Sequence, residues 1–151
     1  MVAPVPFESY EFHKRTGGAF DRGSPNLSTP SWDQHTYGVA GAHQYDRLAQ
    51  AISLNEEAVL QSTSWGLFQL MGWHAAECGC ETAVAFVEGM VDGGEIEHLR
   101  SAVAWMNAAG LLPYLKRGSW AEVARRYNGA GYAKNHYDTK LAAAFKAAGG
   151  R

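Results

Sequence analysis

Glu8 lies between Phe7 and Tyr10, a setting that suits a carboxyl group acting as an acid. Low-polarity neighbours raise the pKa of a glutamate and keep it protonated near neutrality, ready to donate a proton to a leaving oxygen. Such chemistry needs a second group that stabilises positive charge or activates water. Glu57 is the second candidate carboxylate, because the helix expected around it leads directly into Ser62–Gly72. The ordinary alternatives are a strand-edge charge or structural salt bridge for Glu8 and an exposed helix residue for Glu57.

The stretch Ser62-Thr63-Ser64-Trp65-Gly66-Leu67-Phe68-Gln69-Leu70-Met71-Gly72 organises the rest of the chain. It is mostly apolar, yet it holds two glycines, three hydroxyls and one amide. A core helix disfavours Gly66 and Gly72, each of which costs about 1 kcal/mol against alanine in a helix interior. A surface loop disfavours Trp65, Leu67, Phe68, Leu70 and Met71. The pattern predicts backbone that turns tightly, anchors in a core and leaves Gln69 facing a groove, with Gly66 letting a bulky ligand approach the main chain. Gln69 can donate to and accept from hydroxyl or amide groups, and Ser62 and Ser64 can do the same or only cap the turn. Tyr127 can pack against a ligand face while Asn128 bonds to its polar edge. Equally, a buried tyrosine and a helix-ending asparagine account for that pair. Trp65 and Trp73 offer stacking surfaces, although core packing is the commoner use of tryptophan beside such a turn.

Other chemistries find little support. No Gly-x-Ser-x-Gly element is present for a serine hydrolase. The six histidines show no His-x-x-x-His spacing for zinc, and no glycine loop for phosphate occurs. Cys78 and Cys80 are one residue apart, so a mutual bridge would be strained. His74 alone does not complete a zinc site with them. They are expected to be free thiols in a reducing compartment.

The elements that position these residues read as mostly helical. Met1–Pro6 is extended, and Phe7–His13 alternates apolar and polar residues as a half-buried strand or short helix. Thr16–Tyr37 is a long loop suited to rimming a cleft. A helix is expected from about His43, with Tyr45, Leu48, Ala49 and Ile52 as its apolar stripe. Asn55 caps a second helix through Leu60, and Thr82 caps a third from Ala83 that stops at Gly93-Gly94. Glu95–Ala109 is the longest, with Ile96, Leu99, Val103 and Met106 inward and Gly110 ending it. Leu111–Leu115 makes a short turn. Ser119-x-x-Glu122 has the form of a capping box and starts a helix to Tyr127, broken by Asn128–Gly131. A last helix from Tyr137 to Ala148 is expected to bury Leu141, Ala144 and Phe145.

The chain has 151 residues, which suits one domain spanning 1–151. Its 46% hydrophobic and 19% charged content excludes a disordered chain. No apolar run approaches the roughly 20 residues that span a bilayer, so no membrane insertion is expected. The start lacks a basic segment and a long apolar segment, so it is not a secretion signal of the usual kind. A net charge of −2 argues against a nucleic-acid partner.

Taken together, Phe7-Glu8, Ser64–Gly72 and Tyr127-Asn128-Gly129 resemble the N-acetylmuramidase domain of phage endolysins, a branch of the lysozyme-like superfamily. The resemblance runs from Phe7 to about Phe145. In lysozymes and lytic transglycosylases a Gly-Leu-apolar-Gln stretch lines the glycan cleft and a later Tyr-Asn-small stretch faces it. The counterparts here are Gly66-Leu67-Phe68-Gln69 and Tyr127-Asn128-Gly129.

The resemblance implies a mainly α (α+β), lysozyme-like single domain with a small irregular or β lobe near the N-terminus. It implies a peptidoglycan hydrolase of endolysin type that cleaves the β-1,4 bond between N-acetylmuramic acid and N-acetylglucosamine, without a cofactor and as a monomer. Such a protein stays in the host bacterial cytoplasm until it is released to the cell wall. It makes Glu8 the first catalytic carboxylate, with Glu57 second, and Ser64, Gln69, Tyr127 and Asn128 the substrate-binding residues. Gln69 and Tyr127-Asn128 should then line one groove. Lys116–Arg151 carries eight basic residues against Glu122 and Asp138. That basic stretch could hold an anionic wall or be simply solvated helix faces.

One departure stands out. Family members carry another glutamate, in a Glu-Ser-(Gly) context ending a helix upstream of Phe-Glu, and the resemblance makes that residue the general acid. Here Glu8-Ser9 is followed by Tyr10, and the chain begins after the place of that helix. Either Glu8 takes the acid role or the chain is a shortened form. The alternatives to a hydrolase are therefore a non-catalytic peptidoglycan-binding module with a degenerate cleft, or a lytic transglycosylase.

Overall fold

The computed structural model describes residues 6–37 and 41–150, so the extended reading of Met1–Pro6 lies almost wholly outside it. The chain forms two compact units, Met1–Ala104 and Trp105–Arg151.

The first unit is built on helix α3 (Glu56–Gln61), which packs against α1 (Ser9–Thr16), α2 (His43–Ile52) and α4 (Ala83–Asp92). Asn55 starts α3 as expected, its side chain accepting from the Ala58 amide at 3.0 Å. Thr82 does the same for α4, accepting from the Ala85 amide at 3.1 Å. Two caps of this kind satisfy amides that the first helical turn leaves without partners. The core holds Phe7, Phe12, Leu27, Leu48, Val59, Leu60, Trp65, Leu70 and Phe86. Phe7 and Phe12 meet edge to face at 5.6 Å, and Phe12 stacks on Phe20 at 5.4 Å.

The loop after α1 is held from within. Asp21 accepts from Ser28 Oγ and pairs with His13 Nδ1 at 2.8 Å, and these hydrogen bonds hold its carboxyl below the usual carboxylate range. Strands β1 (Ser64–Trp65) and β2 (Leu70–Met71) pair antiparallel, Ser64 opposite Met71 and Trp65 opposite Leu70. An isolated bridge joins Phe7 to Thr63. The Phe7–His13 segment thus uses both readings of its pattern, a bridge at Phe7 and then a helix from Ser9.

Two helix faces differ from the expected ones. In α2 the buried residues are Arg47, Leu48 and Ala51, while Tyr45 and Ala49 are exposed and Ile52 is half-buried. The cause is Arg47, which donates through NH1 to the Phe7 carbonyl (3.0 Å) and through NH2 to Ser9 Oγ and the Asn26 carbonyl (3.2 Å). Its guanidinium also lies 5.1 Å from the centre of the Phe7 ring. Reaching those acceptors turns the helix about its axis. In α5 (Gly94–Ala108), Ile96, Leu99 and Val103 are exposed at 68%, 54% and 49%. The inward stripe is instead His98, Ser101, Ala102 and Trp105, of which the last three are buried. Small residues at 101 and 102 permit a close approach, and Cys78 Sγ donates to the Ser101 carbonyl at 3.5 Å.

In the second unit α6 (Leu112–Lys116) and α8 (Tyr137–Ala147) pack on α7 (Trp120–Asn128), over buried Leu111, Val123 and Ala124. Ser119 precedes α7, but it makes no side-chain cap bond. Glu122 turns outward and accepts from Arg125 at 2.7 Å, so the capping box does not close. The last helix buries nothing fully: Leu141 is half-buried, Ala144 exposed, and Phe145 is 42% exposed despite meeting Trp120 at 4.9 Å. So short a unit has too much surface for its volume to enclose both faces of a terminal helix.

Cys78 and Cys80 are unpaired, as their spacing predicts. Burial pushes the Cys78 thiol up to about 11 and raises Cys80 as well. A raised pKa keeps a thiol protonated and unreactive near neutrality. Titration of the unreduced protein at pH 8 should therefore find two thiols after denaturation and only slow reaction while folded. Two fast-reacting groups in the native protein would contradict the burial.

Candidate functional site

The β1–β2 hairpin and the segment strapped beside it carry Glu8, Ser64 and Gln69. Thr63 Oγ1 donates to the Val59 carbonyl at 2.7 Å and ties the start of the hairpin to α3. The Glu8 amide donates to the Ser62 carbonyl at 2.9 Å, and the Ser64 amide donates to the Pro6 carbonyl at 3.2 Å. Glu8 is half-buried there, at the N-cap of α1 in extended backbone. The structure therefore brings Glu8 to the Ser62–Ser64 segment, although 54 residues separate Glu8 from Ser62.

Gly66–Gln69 forms the tip. Its ends, Gly66 (φ 69°) and Gln69 (φ 51°), are both left-handed. A left-handed conformation costs a residue with a Cβ about 1–2 kcal/mol. Gln69 offsets part of that locally, since its amide and its side-chain Nε2 both donate to the Gly66 carbonyl, at 3.2 and 2.9 Å. Gln69 is exposed at this tip. Strain of this sort on an exposed polar residue is a recurrent mark of a functional position.

The close approach at Gly66 comes from the protein itself, which corrects the expectation that this glycine makes room for a ligand. A Cβ there would meet Met90 Sδ at 3.0 Å and the His98 ring at 3.2 Å. Gly72 is more constrained still, because a Cβ would fall 2.0 Å from the Leu60 carbonyl oxygen. That same oxygen accepts from Trp65 Nε1 at 2.9 Å, while the Gly72 amide donates to the Thr63 carbonyl at 2.9 Å. Gly72→Ala is accordingly expected to cost about 1–3 kcal/mol or more by overpacking. A urea midpoint unchanged from the parent chain would refute this.

Several other candidates have structural employment. Trp65 is buried and bonded to Leu60, so it belongs to the core. Ser62 is fully buried, and Ser64 is buried with its hydroxyl on Met71 Sδ at 2.9 Å, across the strand pair. Glu57 is exposed on α3 and accepts from Gln61 Nε2 at 2.7 Å, an i,i+4 surface pair. Gln61 in turn accepts from Arg15 NH1 at 3.1 Å, and the Arg15 guanidinium lies 4.7 Å from the centre of the Trp73 ring. In the second unit, Tyr127 is half-buried and meets Trp105 edge-on at 5.0 Å. Burial pushes its hydroxyl up to about 12. Asn128 is exposed as the last residue of α7, just before Gly129 (φ 75°).

A family model for N-acetylmuramidase matches residues 2–149. The chain belongs to the N-acetylmuramidase family. Among solved structures, this muramidase-family chain is similar to the crystal structure of Burkholderia AP3 phage endolysin, with a TM-score of 0.85 and 33% identity. That match covers 95% of this chain and 54% of the endolysin, so the chain spans about half the endolysin's length. A search of curated proteins found no match. The fold is the mainly helical, lysozyme-like fold that the motifs imply, with its small sheet in the hairpin. Among the described residues no helix is long and apolar enough to cross a membrane.

Two residues that hold this muramidase hairpin went unnoticed in the sequence. Arg47 fixes Phe7, next to Glu8, and His98 touches the tip at Gly66 and Leu67. Neither carries a local signal. An arginine mid-helix reads as solvated, and a lone histidine matches no motif.

Proposed function

We propose that the chain is a peptidoglycan hydrolase of endolysin type, a glycosidase acting on the β-1,4 bond between N-acetylmuramic acid and N-acetylglucosamine. The two compact units work as one muramidase domain, a reading supported by the family match across 2–149. The observation that supports the activity is the strap between Glu8 and Ser62, which ties the backbone of a half-buried glutamate to the hairpin that presents Gln69. In this reading the Glu8 carboxyl gives its proton to the bridging oxygen as the C1–O bond breaks. Water then adds to C1 and returns a proton to the carboxylate, leaving a new reducing end. Gln69 hydrogen-bonds the glycan. Ser64 contributes by holding β1 to β2. The partner is bacterial peptidoglycan, met by a monomer after its release from the host cytoplasm.

The test is incubation with purified cell walls. Release of reducing ends supports the hydrolase. Anhydro-muramyl ends instead indicate attack by the sugar's own hydroxyl, a lytic transglycosylase. Co-sedimentation with no release indicates a binding module and overturns the reading.

A further inference from the structure

His98 sits on the inward stripe of α5 and makes two opposite hydrogen bonds. Its Nε2 is 2.8 Å from the Met90 carbonyl oxygen, which can only accept, so the ring proton is on Nε2. Its Nδ1 is then a bare acceptor, and the Leu67 amide donates to it at 3.4 Å. These partners select one neutral tautomer. The ring also lies against Gly66, where a Cβ would meet it at a tight 3.2 Å. Gly66 in turn receives both hydrogen bonds that shape Gln69, from its amide and from Nε2. A short chain of contacts thus runs from His98 through Gly66 and Leu67 to Gln69.

We propose that the neutral imidazole of His98 is a positioning residue that sets the hairpin tip for glycan binding by Gln69, and that a second proton on this ring releases the tip. This rests on the proposed role of Gln69. The physical reason is donor–donor conflict: protonated Nδ1 would face the Leu67 N–H, and the amide would lose its acceptor. An imidazole gains its second proton on acidification, so the tip should loosen as the pH falls. The charged groups on the elements around the ring are few. The tip, Gly66–Gln69, contains no ionisable side chain. Helix α4 contributes Glu88 and Asp92, and α5 contributes Glu95, Glu97 and Arg100, with Glu97 paired to Arg100 at 3.6 Å.

The test reads the hairpin separately from activity. In protein labelled with nitrogen-15, the His98 ring should show the Nε2–H tautomer at pH 7.5. The Leu67 and Gln69 backbone amide shifts should move with the His98 titration. Affinity for a soluble alternating N-acetylglucosamine–N-acetylmuramic acid tetrasaccharide should fall roughly two- to tenfold as His98 takes up its second proton, the worth of one hydrogen bond. His98→Gln keeps a donor and an acceptor but does not titrate, and should hold both readings flat. His98→Ala should bind weakly at every pH. The proposal is overturned if the Leu67 amide ignores the His98 titration, if the ring carries its proton on Nδ1, or if His98→Gln keeps the acid loss. Amides that titrate with His98 in a chain that releases nothing from walls support the tip linkage and sink only the hydrolase reading.

Discussion

Glu8→Gln is expected to cut the release of reducing ends from purified walls by about 10²–10⁴-fold, the usual worth of a general acid. The substitution keeps the shape of the side chain and removes the proton it would deliver. The backbone bond that places this residue, from the Glu8 amide to the Ser62 carbonyl, survives the change, so the chain should stay folded with an unchanged urea midpoint. Glu57→Gln serves as the paired measurement. Glu57 is exposed and engaged with Gln61 at 2.7 Å, so its loss should leave the rate nearly unaltered. Full activity in Glu8→Gln with a dead Glu57→Gln would exchange the two roles. A parent chain that is inactive alone, yet gains hydrolysis when fused to a helix ending in Glu-Ser, would move the acid to that helix.

Arg47→Met should lower stability by about 2–4 kcal/mol, from roughly 1–3 kcal/mol for each of the two buried acceptors that lose their donor. The side chain is buried, and its guanidinium serves three acceptors: the Phe7 carbonyl, Ser9 Oγ and the Asn26 carbonyl. Methionine fills much of the same volume but donates nothing, so the Phe7 carbonyl and Ser9 Oγ lose this donor in a buried setting, while the Asn26 carbonyl still accepts from Ser9 Oγ at 3.5 Å. Those acceptors lie in the segment at Phe7, the start of α1 and the loop at Asn26, so the loss should also loosen the Phe7–Glu8 strap. Arg47→Lys should recover part of the stability, because an ammonium can serve some of these acceptors but lacks the planar fork. Urea denaturation reads both variants; a change below about 1 kcal/mol for Arg47→Met would refute the account.

What the sequence determined by itself was local. Asn55 and Thr82 mark the starts of α3 and α4 because a side-chain oxygen three residues before an amide is a chemical fact of the chain alone. Gly110 and Gly129 mark ends for the same kind of reason, their tolerance of positive-φ backbone (67° and 75°) that interrupts a helix. The motif residues around Gly66 and Gln69 were legible because an apolar run broken by glycines and one amide fits neither helix nor plain loop.

Tertiary structure decided which faces those helices turn inward and what the hairpin rests on. A stripe at helical spacing shows that a helix exists, but α5 offers two: Ile96, Leu99 and Val103 on one side, His98, Ser101, Ala102 and Trp105 on the other. The less hydrophobic one is inward, because small residues allow close approach and His98 can satisfy both Met90 and Leu67. In α2 the hydrogen-bond demand of three distant backbone and hydroxyl groups outweighed a tyrosine's preference for burial and drew Arg47 inward. Gly66 carries the same lesson. Its lack of a Cβ was readable in the sequence, but that the space would be taken by Met90 and His98 depends on segments 24 and 32 positions away, which only the folded chain brings together.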